Sequence, residues 1–133
     1  MDWAQRAAEL SHAKRLQVGA VVVKDDTVIS YGYNGMPAGW DNACEDTIQY
    51  SDDTVALKTK PEVLHAESNA IAKLARSSNS GVNADIFITH SPCIECAKLI
   101  YQSGIKRVYF GQQYRDNSGI EFLEKSGVVV HKK

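Results

Sequence analysis

The chain has 133 residues, of which 44% are hydrophobic and 23% are charged, and these values are typical of one globular domain. Its net charge of −1 argues against a polynucleotide-binding protein, because such proteins are usually basic. No apolar run approaches the roughly 20 residues that a membrane-spanning helix needs. We therefore expect a single domain over residues 1–133 that acts on a small molecule and contacts neither nucleic acid nor membrane.

The cysteines favour a reducing compartment. There are three of them, so they cannot pair completely. A chain of this length can bury roughly two-thirds of its unfolded surface and needs no disulfide for stability. The first residues, Met1 to Arg6, are polar and predict the start of a helix rather than a signal peptide. Together these features predict a cytoplasmic protein.

The predicted elements begin with an amphipathic helix over residues 2–14, in which Trp3, Ala7 and Leu10 recur at helical spacing. Two short runs rich in apolar and β-branched residues follow, separated by a polar Lys-Asp-Asp turn, and this pattern predicts a β-hairpin. Its strands cover residues 18–23 and 27–33. A cluster of turn formers, residues 34–39, ends the second strand.

Residues 40–62 show no clear period. A connection of this length in a compact domain is usually a functional lid, an interface or a disordered segment. Helix and strand patterns then alternate to the end of the chain. The predicted helices cover residues 64–76, 92–103 and 118–126, and the predicted strands cover residues 85–89, 107–110 and 128–130.

Two helix starts carry capping signals. Ser91 followed by Pro92 predicts an N-cap with proline in the first helical position, and Ser118 with Glu121 has the spacing of a capping box. The whole order predicts an α/β fold with one mixed five-stranded sheet flanked by helices, in three αβα layers. The last three strands, which are joined by helices, should be parallel.

A histidine and two cysteines form a pattern that can bind a metal ion: His65-Ala66-Glu67 and, after a gap, Pro92-Cys93-Ile94-Glu95-Cys96. One imidazole and two thiols suit zinc, with the fourth tetrahedral position left for water. Glu67 lies two residues from His65 and does not share its helix face. We therefore interpret Glu67 as a carboxylate that moves protons beside the metal rather than as a further ligand.

Two other interpretations of the cysteines remain open. A Cys-x-x-Cys pair beside strand–helix–strand units is also typical of thioredoxin-like redox sites. A closed structural zinc site could instead use Cys44 as its fourth ligand; otherwise we expect Cys44 to be a free loop thiol. The remaining histidines, which we expect to be packing or surface residues, are His12, His90 and His131.

The paired H-x-E and P-C-x-x-C elements are the signature of zinc deaminases. The run from Gly32 to Gly39, GYNGMPAG, resembles the G-Y-N-G-x-P-x-G segment of deoxycytidylate deaminases. Similar matches cover nearly the whole chain, at residues 18–20, 65–71, 91–93 and 97–100. The element order also resembles the cytidine deaminase fold. The resemblance implies hydrolysis of dCMP to dUMP and ammonia, feeding thymidylate synthesis, by a homo-hexamer that dCTP activates and dTTP inhibits.

The resemblance also implies roles for individual residues. His65, Cys93 and Cys96 would hold Zn²⁺, and Glu67 would be the proton shuttle. The residues that it places at the substrate are Asn34, Ala66, Ser91 and Tyr114. A 5′-phosphate needs a cation, for which the candidates are Arg15 first and Arg115 second. The turn that it associates with effectors consists of Gly32, Tyr33, Asn34 and Gly35.

Some members of the family carry a second, structural zinc ion. Ala13 and Ala43 stand where its cysteines would be expected, so we predict one zinc ion per subunit. Three alternative functions remain. A nucleoside cytidine deaminase usually has cysteine in place of His65, and a tRNA adenosine deaminase should have a basic RNA-binding face. A catalytically inactive, zinc-stabilised binding protein would not require Glu67.

Overall fold

The computed structural model describes all 133 residues. Its strands are β1 (Gly19–Lys24), β2 (Thr27–Tyr33), β3 (Glu45–Gln49), β4 (Val55–Thr59), β5 (Asp85–His90), β6 (Arg107–Gln112) and β7 (Val129–Lys132). Its helices are α1 (Asp2–Ala8), α2 (Ala66–Ala75), α3 (Ile94–Gln102) and α4 (Ser118–Lys125). None of these helices is both long enough and apolar enough to span a membrane.

Five strands form one mixed sheet in the order β2-β1-β5-β6-β7. Strand β1 is antiparallel to both β2 and β5, whereas β5, β6 and β7 are parallel. The hairpin between β1 and β2 closes through Asp25 and Asp26, whose φ angles of 51° and 61° suit the tight turns that match strand twist. The predicted α/β fold, its mixed five-stranded sheet and its parallel last three strands are confirmed.

The main core lies between this sheet and helices α2, α3 and α4. Side chains from alternate sheet positions and from the inward faces of the helices form one buried cluster. Its fully buried members include Val22, Ile86, Ile88, Ile100, Val108 and Leu123. Helix α1 covers the opposite face, because Gly19 points towards it while the adjacent Ala20 points into the main core. The sheet therefore has helices on both faces, as predicted.

The first helix is shorter than predicted and buries a different face. It ends at Ala8 and buries Ala4, Ala7 and Ala8, while Trp3 is 66% exposed. A Cβ atom at Gly19 would overlap the backbone oxygen of Ala4, so helix and sheet are in backbone contact. Only small side chains fit at such a contact, and alanine rather than the bulkier apolar residues therefore faces the sheet.

Residues 40–62, for which no element was predicted, contain the hairpin β3–β4. This hairpin forms a two-stranded sheet of its own, apart from the main sheet. At its base the backbone N–H of Lys60 donates to the oxygen of Cys44 at 2.8 Å. Most of its side chains are exposed, so its sequence lacks the regular apolar alternation by which a strand is usually identified.

Both predicted helix caps are wrong. Cys93 is the N-cap residue of α3 and Asn117 that of α4, and neither makes a side-chain capping hydrogen bond. The Ser91 hydroxyl instead accepts a hydrogen bond from the backbone N–H of Tyr114 at 2.9 Å. The residues after β5 thus remain extended up to Cys93, which leaves this segment free to line a site.

Candidate active site

Two helix N-termini meet where strand β5 ends. His65 is the N-cap residue of α2, Cys93 is the N-cap residue of α3, and both have extended backbone conformations. Cys96 lies in the first turn of α3 and is buried. Because both helices pack on the same face of the main sheet, their first turns bring residues from distant parts of the sequence together.

The structure brings the three predicted metal ligands into one cluster. Nδ1 of His65 lies 3.3 Å from Sγ of Cys96 and 3.6 Å from Sγ of Cys93, and the three ligand atoms lie within 4.8 Å of one another. Tetrahedral coordination with ordinary zinc bond lengths separates nitrogen and sulfur ligands by about 3.6 Å. The donor set and its spacing therefore fit zinc.

The charges at the cluster also suit a cation. Hydrogen bonds from the Cys96 thiol and from His65 lower the pKa of Cys93 to about 4, so Cys93 is a thiolate at neutral pH. The pKa of Cys96 is raised by its hydrogen bond with Cys93 and by burial. Metal ions bind the deprotonated thiol and displace such a proton. The N-termini of helices stabilise thiolates further.

Glu67 lies beside the cluster in the first turn of α2 and is only 5% exposed. Burial raises the pKa of its carboxyl to about 7, and hydrogen bonds from its own backbone and from Cys96 oppose this rise. A group with a pKa near the working pH can both accept and donate a proton. Glu67 is therefore suited to proton transfer.

His65, Glu67 and Cys93 border a pocket of about 410 Å³, a size usual for small-molecule sites, whereas Cys96 is buried and does not line it. The predicted residues that line it are Arg15, Asn34, His65, Ala66, Glu67, Ser91, Cys93 and Tyr114. Arg115 is exposed and does not line the pocket. Cys44 borders the pocket but lies outside the metal cluster, so the structure contains no closed four-ligand site. Cys44 is a free thiol in the loop before β3, as predicted, and it is buried.

Asn34 connects the end of β2 to the segment before β1. Its side-chain oxygen accepts a hydrogen bond from the N–H of Val18 at 2.9 Å, and its amide nitrogen donates to the oxygen of Leu16 at 2.8 Å. One acceptor lone pair and one N–H of the amide stay available for a ligand. Asn34 is thus held in a defined orientation at the pocket wall.

Ser91 and Tyr114 form a second fixed wall. The N–H of Ser91 donates to the oxygen of Gln112, so only its carbonyl oxygen is available to a ligand from its backbone. The Tyr114 ring stacks on His90 with the ring centroids 5.6 Å apart. His90 is a packing residue, as expected, and it supports a residue of the site.

The pocket also contains residues that the sequence did not indicate. Glu45 and Thr59, from the hairpin β3–β4, line it next to Arg15. Both come from the segment without a clear period, and no motif marks them. They could have been found only by predicting a hairpin over residues 45–59, and the polar sequence of this segment does not indicate one.

The turn that the resemblance associates with effectors lies at a neighbouring pocket of about 450 Å³. Tyr33, Asn34 and Gly35 line it together with Lys73 and Arg76, and Asn34 also lines the first pocket. Gly32 lines neither pocket. A Cβ atom there would overlap the backbone oxygen of Ala66 and lie 2.7 Å from the nitrogen of Ala70, so Gly32 permits close packing against α2.

A family profile described as the cytidine and deoxycytidylate deaminase zinc-binding region matches residues 1–112. The chain belongs to this family. Its membership confirms the predicted resemblance, and it excludes the thioredoxin-like interpretation of the cysteine pair. The cluster of His65, Cys93 and Cys96 lies within the matched region.

Individual relatives agree with this assignment. The chain is 38% identical over 121 residues to ComE operon protein 2 of Bacillus subtilis, covering 90% of this chain and 61% of that protein. It is 33% identical to the deoxycytidylate deaminase of Enterobacteria phage T4, covering 86% of this chain and 77% of that enzyme. It thus spans less than two-thirds of the Bacillus protein and about three-quarters of the phage enzyme.

Among solved structures, the dCMP deaminase of cyanophage S-TIM5 in complex with dCMP and dUMP matches with a TM-score of 0.87 and 41% sequence identity. The match covers 99% of this chain and 92% of that chain. This agreement confirms the cytidine deaminase-like arrangement of sheet and helices.

Proposed function

We propose that residues 1–133 form a single domain that hydrolyses dCMP to dUMP and ammonia. The observation that carries the proposal is the cluster of His65, Cys93 and Cys96 beside a pocket that is lined by His65, Cys93 and the buried residue Glu67. The 41% identity to a dCMP deaminase that was solved with dCMP and dUMP supports the choice of substrate.

In this reaction the oxygen of water bonds to C4 of the cytosine ring, the bond from C4 to the amino nitrogen breaks, and ammonia leaves. The nitrogen of His65 and the sulfurs of Cys93 and Cys96 would hold one zinc ion, which would supply the Lewis acidity that makes water a nucleophile at neutral pH. Glu67 accepts a proton from water and delivers it to N3 of the ring. It then takes the remaining proton from the oxygen on C4 and gives it to the departing amino group, so that the C4 carbonyl forms as ammonia leaves.

The other walls of the pocket orient the substrate. The guanidinium of Arg15 makes one hydrogen bond, to the Thr59 hydroxyl at 3.4 Å, and no ion pair, so its charge is available to the 5′-phosphate. Asn34 binds the sugar hydroxyl with the free part of its amide. The backbone of Ala66 and of Ser91 contacts the base edge, and Tyr114 packs beside the nucleotide.

We also propose that dCTP activates and dTTP inhibits the enzyme. The neighbouring pocket supports this, because it is lined by Lys73 and Arg76, which suit a triphosphate, and shares Asn34 with the first pocket. Regulation requires that each nucleotide bind two states of the enzyme with different affinities. Asn34 is a physical link through which such a difference reaches the substrate.

We further propose a cytoplasmic homo-hexamer. Trp3 and Trp40 are 66% and 54% exposed, and tryptophan is enriched at protein interfaces. All three cysteines are free, which suits a reducing compartment. Mass measurement in solution with and without nucleotides tests the assembly.

The central experiment follows ammonia release from dCMP, from deoxycytidine and from an RNA hairpin, each with zinc-loaded protein. We expect dCMP to be preferred, with turnover that rises with dCTP and falls with dTTP. A preference for deoxycytidine or RNA would show that dCMP is not the main substrate. Turnover that neither triphosphate changes would support the proposed reaction and contradict the proposed regulation.

A further inference from the structure

Glu45 and Thr59 of the hairpin β3–β4 contact the segment that carries Arg15. Glu45 and Thr59 are directly opposite each other across the two strands, so their side chains share one face of the hairpin. Both line the pocket beside Arg15, whereas the adjacent Asp46 points to the other face. The hairpin therefore presents one defined edge to the pocket.

Glu45 holds the backbone at Arg15. A single carboxylate oxygen, Oε2, accepts hydrogen bonds from the N–H of Lys14 and from the N–H of Arg15, each at 3.0 Å. Hydrogen bonds to a charged acceptor are stronger than those between neutral groups. Two of them on consecutive residues restrict both the position and the direction of this turn. Thr59 adds a contact to the guanidinium itself.

A small core anchors both partners. Ala13, Cys44 and Val63 form a buried cluster that is separate from the main core. Ala13 lies two residues before Arg15, Cys44 directly precedes Glu45, and Val63 follows the hairpin. The bases of the hairpin and of the Arg15 segment are thus packed against each other, and the Glu45 hydrogen bonds join two segments that are already close.

We infer that Glu45 is a positioning residue that fixes Arg15 for the 5′-phosphate of the substrate, and this inference rests on the proposed function. A negative charge in a phosphate-binding pocket would by itself repel the substrate. If Glu45 acted only through its charge, its neutralisation would tighten dCMP binding. If it acts through its hydrogen bonds, dCMP binding depends instead on whether its side-chain oxygen can reach the two backbone N–H groups.

Two conservative variants separate these possibilities. Glu45→Gln keeps an acceptor oxygen at the same reach and removes the charge, whereas Glu45→Asp keeps the charge and withdraws the oxygen by one methylene. We expect Glu45→Asp to raise KM for dCMP about tenfold with little change in kcat. Glu45→Gln should stay within about threefold of the original KM, because its amide oxygen still accepts both hydrogen bonds.

The decisive readout is the ratio of kcat/KM for dCMP to kcat/KM for deoxycytidine, since only dCMP carries the phosphate. Glu45→Asp should lower this ratio about tenfold, and should lower it by less than about twofold when Arg15 is already alanine. Asp46→Asn is the matched control, because it alters an acidic residue on the outer face of the same hairpin. It should leave the ratio unchanged.

The inference is overturned if Glu45→Asp leaves KM unchanged, if Glu45→Gln is the more damaging variant, or if the effects of the Glu45 and Arg15 variants simply add. A ratio near unity in the unmodified protein would overturn the proposed substrate, and the inference with it. Full dCMP preference with an inert Glu45 would overturn the inference alone.

Discussion

The two walls of the pocket are built in different ways. On the metal side, His65 and Cys93 are the N-cap residues of helices that pack on the main sheet, and their neighbours belong to the principal core. On the basic side, Arg15 lies in a segment held by Glu45 and Thr59 of a hairpin outside the main sheet. One wall is part of the principal core, and the other depends on a small separate core and a few hydrogen bonds near the surface.

Under the proposed function, this difference separates the residues that carry the reaction from those that select the substrate. Groups that make and break bonds must keep their geometry within fractions of an ångström, so helix ends on a packed sheet suit them. Groups that recognise an exposed phosphate tolerate more motion, because surface loops and hairpins open locally at low free-energy cost. Changes on the metal side should therefore abolish the reaction, and changes on the basic side should alter which substrate is preferred.

Loss of a metal ligand should have the largest effect. Cys96→Ala removes one of the three proposed ligands, so zinc should be lost on dialysis and dCMP turnover should fall by at least about a thousandfold. Elemental analysis and ammonia release measure the two quantities. Cys44→Ala is the control, because it removes the other buried thiol, and it should retain one zinc ion per chain. Zinc loss from the control would make Cys44 a ligand.

Glu67→Gln should have the next largest effect. The glutamine has the same shape but cannot exchange a proton, so kcat should fall by about 10²–10⁴ while zinc content stays constant. Glu95→Gln is a suitable control, since Glu95 is an exposed acidic residue in the first turn of the other helix, α3. Loss of zinc from Glu67→Gln would show that this carboxyl supports the metal rather than the chemistry.

Arg15→Ala changes the opposite wall of the pocket and should affect KM rather than kcat. Loss of a charge-assisted hydrogen bond to phosphate costs about 1.5–3 kcal/mol, so KM for dCMP should rise about 10- to 100-fold. The effect on deoxycytidine should be much smaller. Arg115→Ala removes an equal charge outside the pocket and serves as the control. Equal losses on both substrates would reject the phosphate role.

Gly32→Ala should change stability more than substrate preference. Its added methyl group would overlap backbone atoms of α2, and overpacking of this kind lowers the free energy of unfolding by about 1–3 kcal/mol. Urea denaturation measures this quantity. Gly35→Ala should be nearly neutral, because no atom lies within 4 Å of a Cβ at that position. Similar losses for both variants would contradict the packing role of Gly32.

The sequence by itself determined the metal wall and most of the main sheet. His65, Glu67, Cys93 and Cys96 lie in two short segments whose residue types and spacing already define a ligand set. The strands and helices of the main fold bury apolar residues at regular intervals, and such periodicity is visible within a dozen residues. Local patterns suffice wherever the residues that act together are close in sequence or repeat with a period.

The tertiary structure alone decided the basic wall. Glu45 meets Lys14 and Arg15 from 31 and 30 positions away, and Thr59 meets Arg15 from 44 positions away. The exposed hairpin that carries Glu45 and Thr59 has no regular apolar face, and the alanine face that α1 buries follows from its close contact with Gly19. These features arise from contacts between segments remote in sequence, which leave no local period, and they appear only when the chain is folded.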